Sequence, residues 1–142
     1  MRATIQWVNE VMFVGQSGSG HSVVIDGPPS AGGKNAGIRP MELVPMGLGA
    51  CSSFDVVAIL KKSRQNISSC YAELEAERAE QIPQVFTRIH IHFVVSGHKL
   101  KNKQVQRAVD LSADKYCSAS IMMAKTAHIT HDFEIIEVGL VS

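Results

Sequence analysis

Cysteine is scarce in this sequence: three among 142 residues. An odd and small number excludes a secreted disulfide framework and suits a reducing compartment, where thiol chemistry is transient or catalytic. Charge of one sign is also lacking, with 14 Lys and Arg against 13 Asp and Glu, a net +1. Such a chain has no long-range field to attract nucleic acid or an anionic membrane surface, and neither is expected as a partner. No uninterrupted apolar run reaches the roughly 18 residues that a membrane span needs. The most apolar short run, "VVAIL", is bounded by Asp55 and by Lys61-Lys62. The opening "MRATIQWVNEV" lacks the apolar centre of a secretory signal, so a cytoplasmic location is expected. CxxC and HExxH are absent, and "GQSGSGH" lacks the Lys-Ser/Thr of a phosphate loop, which gives no reason to expect a metal or a nucleotide cofactor.

What is present reads as one α+β domain over residues 1–142, long enough to bury roughly 70% of its unfolded surface. Ala3, Ile5 and Trp7 alternate with Arg2, Thr4 and Gln6, a strand pattern. "VMFVG" and "HSVVID" continue it as an antiparallel meander. Residues 27–37, "GPPSAGGKNAG", carry four Gly and two Pro and predict a loop with the composition of a mobile segment. At Pro40 the period changes to helical, since a missing N–H has no cost in the first turn. Leu43, Met46, Gly47, Ala50, Cys51, Phe54, Val57 and Ala58 follow that spacing, with Val44, Leu48 and Val56 widening the apolar surface. A helix apolar nearly all round is buried on nearly all sides, which a chain this short achieves best as a dimer. Pro45 predicts a kink or a delayed start, and Gly47 and Gly49 predict a close approach. Residues 66–78 and 86–97 alternate and predict two paired strands. Residues 101–125 predict a helix with Cys117 near its end and Ser118 capping a short second helix. "HITHDFEIIEVG" predicts a final strand. The order is β-β-β-α-β-β-α-α-β, with mostly antiparallel strands.

Cys51 and Cys117 lie 117 − 51 = 66 residues apart, so only the fold can join them. Two readings are open: buried thiols that pack, or a reactive thiolate. The second needs a nearby cation or helix N-terminus to hold the thiolate at neutral pH. Arg39 and Lys115 are the candidate cations, and Cys117 precedes a helix start. A disulfide requires Cα atoms within about 7 Å. Cys70, on the small-residue face of a strand, reads as core packing. His90 and His92 share a strand face, but zinc wants three or four convergent ligands, and a solvated polar face is the simpler reading. Gly15–Ser19 matches G-x-S-x-G in a hairpin turn, the wrong context for a nucleophile.

With "PMELVPMGLGACSSFD" followed far downstream by "KYCSAS", the chain resembles the OsmC/organic hydroperoxide resistance family, and within it the YhfA-like branch. The resemblance spans essentially the whole length. It implies an OsmC-like fold, antiparallel sheets packed on two long helices in an intertwined homodimer with active sites at the subunit interface. It also implies a thiol peroxidase of the oxidative stress response, acting on small organic hydroperoxides. Cys51 would be peroxidatic and Cys117 resolving, with an external dithiol reductant and no resident cofactor. Active members place Glu directly after the helix-opening Pro and draw an Arg from the N-terminal strands. Here Met41 follows Pro40, and Glu42 comes one place later, about 100° further round the helix. Arg39 is the nearest arginine. The alternative implied by these departures is a catalytically silent dimer that binds a small apolar ligand at its interface.

Overall fold

The computed structural model describes residues 1–139. They divide into two compact units, Met1–Val44 and the chain from Pro45 onward. In the first unit, β1 (Ala3–Asn9), β2 (Met12–Ser17) and β3 (Ser22–Ile25) form the antiparallel meander that the alternation predicts. Ile5 pairs with Gly15 and Phe13 with Ile25. The loop that follows is held rather than free. Its anchor is Asp26, a buried carboxylate that accepts backbone N–H bonds from Gly27 at 2.8 Å, Lys34 at 3.0 Å and Ala36 at 3.0 Å. The Ala36 N–H foremost, against the opposing effect of burial, holds the Asp26 carboxyl below its ordinary value. Gly33 lies so close to the Gly27 carbonyl that a Cβ would overlap it.

Helix α1 (Pro40–Lys62) starts at the end of the first unit and continues unbroken through Pro45 into the second. The second unit adds β4 (Asn66–Arg78), β5 (Phe86–His98), α2 (Asn102–Leu111), α3 (Ser118–Met123) and β6 (His128–Glu137). Strands β4 and β5 form a long antiparallel hairpin, pairing Leu74 with Ile91 and Glu73 with His92. Ile89, Ile91, Phe93 and Val95 are buried on one face, with Arg88, His90 and His92 on the other. Val105, Ala108 and Val109 of α2 and Val56 and Leu60 of α1 are buried as well. Gly49 gives α1 its close approach: an added Cβ would meet Leu74 Cδ1 at 2.6 Å. Gly47 makes no such approach.

Two expectations about architecture need correction. The second sheet is mixed, because β6 runs parallel to β5, pairing Phe93 with Phe133 and Val95 with Ile135. The helical segment between them supplies the long crossover that a parallel pair requires. The second long helix that the resemblance implies is also not seen: the segment holds two short helices, as its residues predict. It breaks after Leu111 into a five-residue π-helical turn (Ser112–Tyr116), then an extended residue, Cys117 (φ −72°, ψ 103°), before α3.

Helix α1 is less covered than its composition suggests. Its most apolar 18-residue stretch has a mean hydropathy of 1.8, yet only 28% of that stretch is buried. Phe54 is 76% exposed and Met46 58%. By length and composition alone α1 is long and apolar enough to cross a membrane.

Candidate functional site

The extended conformation of Cys117 turns its side chain back over the start of α3. The Cys117 sulfur is the N-cap of that helix, accepting the Ser120 N–H at 3.3 Å. Ser118, the expected cap, is the first helical residue instead. A sulfur so placed takes up one of the unpaired N–H groups of a helix start. Cys117 is fully buried, and its own N–H bonds the Ser112 carbonyl at 2.9 Å.

Helix α1 supplies the rest of the site. The Ser52 hydroxyl donates to the Cys117 sulfur at 3.2 Å. Cys51, the preceding residue, and Asp55, one turn further along, complete a cluster with Cys117. The two sulfurs and one Asp55 carboxylate oxygen all lie within 4.8 Å of one another. Ser112 buttresses it, its hydroxyl directed at the Ser52 carbonyl at 3.2 Å and at Asp55 Oδ2 at 3.4 Å. Burial pushes the Cys117 thiol up, and Cys51 beside it adds to the rise, while the Ser52 hydroxyl and the Ser120 N–H pull the other way. The net result is a neutral Cys117 thiol at pH 7. Burial likewise raises Cys70 on β4.

Arg39 and Glu42 make their hydrogen bonds within the first unit. Glu42 Oε2 accepts the Arg39 backbone N–H at 2.9 Å, the return half of a capping box at the start of α1. The Arg39 guanidinium donates to the Gly37 carbonyl at 3.1 Å and to Asn35 Oδ1 at 2.8 Å. Lys115, the other candidate cation, holds its ammonium 5.4 Å from the centre of the Tyr116 ring.

A cavity of about 450 Å³ borders the cluster at Asp55. Ala58, Ile59 and Leu111 give it an apolar wall, and Lys62 and Arg107 give it two cations. The strand histidines are engaged elsewhere. His90 bonds Thr130 at 2.7 Å and Asp132 at 3.1 Å, and His92 bonds Asp132 at 2.6 Å and Glu134 at 3.4 Å.

Sequence reasoning missed Asp55, Ser52, Ser112 and Ser120. A signal existed for Asp55, which stands four residues after Cys51 and so on the same helix face. The serines gave none, because a hydroxyl's partner is set by tertiary structure.

Residues 32–132 match the model of the family described as OsmC-like protein. The chain is 46% identical over 136 residues to protein YhfA of Escherichia coli K12, covering 96% of this chain and 98% of that one. A crystal structure of a hypothetical protein from Aquifex aeolicus is 28% identical, with a TM-score of 0.85 and 97% of each chain covered. The organic hydroperoxide resistance protein OsmC from Legionella pneumophila shares the fold at 13% identity, with a TM-score of 0.72, covering 94% of this chain and 95% of that one.

Proposed function

The chain belongs to the OsmC-like protein family, and on that premise we propose that it is a two-cysteine thiol peroxidase acting on small organic hydroperoxides in oxidative stress. The observation that carries this reading is the meeting of Cys51 and Cys117, 66 residues apart in sequence, with both sulfurs inside one 4.8 Å cluster. In the first step the Cys51 thiolate attacks the O–O bond. The sulfur takes the distal oxygen and becomes a sulfenic acid, and the alcohol leaves with one proton. In the second, Cys117 attacks the sulfenic sulfur, a disulfide forms and water departs. An external dithiol then reopens the disulfide, and no resident cofactor takes part.

The roles are those that the family resemblance implies. Cys51 is the nucleophile, on the helix that borders the cavity. Cys117, neutral and buried, is the resolving thiol. Arg39 and Glu42 are the candidates for activating the Cys51 thiolate. The cavity's apolar wall suits the organic part of the peroxide, since a small apolar group gains from leaving water there. A homodimer accounts for the exposed apolar surface of α1: a second copy would cover Met46 and Phe54, which one chain leaves open. The same cover fits a cytoplasmic protein.

A second reading has its own observation. Met41 stands where active relatives carry Glu, and the cavity lies ready for an apolar ligand. A catalytically silent dimer would bind such a ligand as well in a Cys51→Ala/Cys117→Ala variant as in the parent.

Trapping the intermediate separates the two. With cumene hydroperoxide and dimedone, a Cys117→Ser variant should accumulate one sulfenic adduct, on Cys51. Cys51→Ser should give none. An adduct on Cys70 alone, or no adduct at all, would overturn the peroxidase reading.

A further inference from the structure

We propose that Cys51, Cys117 and Asp55 form, in the dithiol state, a binding site for a zinc-like divalent cation, and that oxidation of the two sulfurs empties it. The three donor atoms lie within 4.8 Å of one another. Around zinc, with Zn–S of about 2.3 Å and Zn–O of about 2.0–2.2 Å, tetrahedral donors stand about 3.6–3.8 Å apart. Each pair therefore closes by about 1.2 Å at most, within reach of side-chain rotation. Two come from one face of α1, a turn apart, and the third from the break before α3. Two sulfurs and one carboxylate are a poor set for magnesium or calcium, which take oxygen ligands, and a good one for zinc. Three protein ligands leave a fourth position open.

The outer groups are already in place. Ser112 holds the Asp55 carboxylate, while Ser52 and the Ser120 N–H point hydrogens at the Cys117 sulfur. Such partners orient ligands and support the charge on them. A dication binds thiolates and displaces their protons.

The oxidation balances. Two metal-bound thiolates, one hydroperoxide and two protons give a disulfide, an alcohol, water and the free cation. The binding half stands on donor geometry. The release half rests on the peroxidase reading.

The test starts from reduced, metal-free protein titrated with Co²⁺ without oxygen, then with Zn²⁺. One Co²⁺ per chain should bind with a thiolate-to-cobalt charge-transfer band, and one equivalent of Zn²⁺ should remove it. Cys51→Ser, Cys117→Ser and Asp55→Asn should each weaken binding at least tenfold, and Cys70→Ala should leave it unchanged. Cumene hydroperoxide should then release the Zn²⁺ to a chromophoric chelator as the disulfide forms. No charge-transfer band, or an undiminished band in Cys51→Ser, overturns the site. Disulfide formation in metal-free protein that never binds Co²⁺ would sink the metal site alone. Co²⁺ binding with no disulfide in any sample would sink the release half and the peroxidase reading, leaving the site standing.

Discussion

The Ser52 hydroxyl on α1 donates to the sulfur of Cys117 at 3.2 Å, across 65 residues of sequence. It is one of two groups that lower a thiol otherwise raised by burial. Ser52→Ala should raise the Cys117 titration further and destabilise the fold by about 1 kcal/mol, the usual net worth of one hydrogen bond. Alkylation rates of Cys117 against pH should show its midpoint above the ordinary thiol value of about 8.5 in the parent, and higher still in the variant. A midpoint at or below that value in the parent would show that burial does not govern this thiol. The sign for stability follows: a raised thiol favours the fold at and below neutral pH, and the benefit is lost as pH climbs through the folded value.

Gly49 and Leu74 give a packing prediction. Gly49→Ala should cost about 1 kcal/mol, because overpacking against Leu74 Cδ1 outweighs the gain of about 1 kcal/mol from alanine in a helix. In a Leu74→Ala background the same change should stabilise instead. Denaturant unfolding of the four proteins would show the change of sign. Simple additivity would exclude the contact as the cause.

His92 and Asp132 should behave as a linked pair. Hydrogen bonds to Asp132 first, then to Glu134, raise the His92 imidazole above its ordinary value of about 6.5. The His92 bond likewise lowers Asp132. The pair's stabilisation is therefore fully present between the ordinary Asp value of about 3.9 and the ordinary His value of about 6.5. It is lost as pH rises through the folded value of His92 or falls through that of Asp132. An NMR titration of His92 should move down in Asp132→Asn. An unchanged midpoint would contradict the assignment.

Asp26 is predicted to hold the loop at 27–37. Asp26→Ala removes the acceptor for three backbone N–H groups, and limited proteolysis should then cut within that loop much faster than in the parent. Because the carboxyl is lowered, the parent's protection should persist at pH 5 and fail only as acid protonates Asp26. Equal cleavage of parent and variant would show that the loop does not depend on it.

Much of the fold was legible in the residues. Alternation marked β4 and β5 because one face of each pair meets the core, as Ile89 to Val95 show. Pro40 marked the start of α1. Alternation carries no strand direction, however, so the parallel pairing of β6 was hidden. Composition likewise hid the break at Cys117, because a sulfur acting as a cap looks like any apolar residue. At the site, Cys51 and Cys117 were identifiable singly, and their proximity was not, since 66 intervening residues fix no distance. The loop at 27–37 read as mobile because glycine and proline advertise freedom, while the one carboxylate that ties it lies outside it.

The proposal that Cys51 and Cys117 are one redox pair has a direct test. Reduced protein should be treated with one equivalent of cumene hydroperoxide, alkylated, digested without reductant and mapped by mass spectrometry. Two thiols per chain should be lost and a peptide joining Cys51 to Cys117 should appear, with Cys70 alkylated. Three free thiols after millimolar peroxide, or a disulfide that includes Cys70, would contradict it.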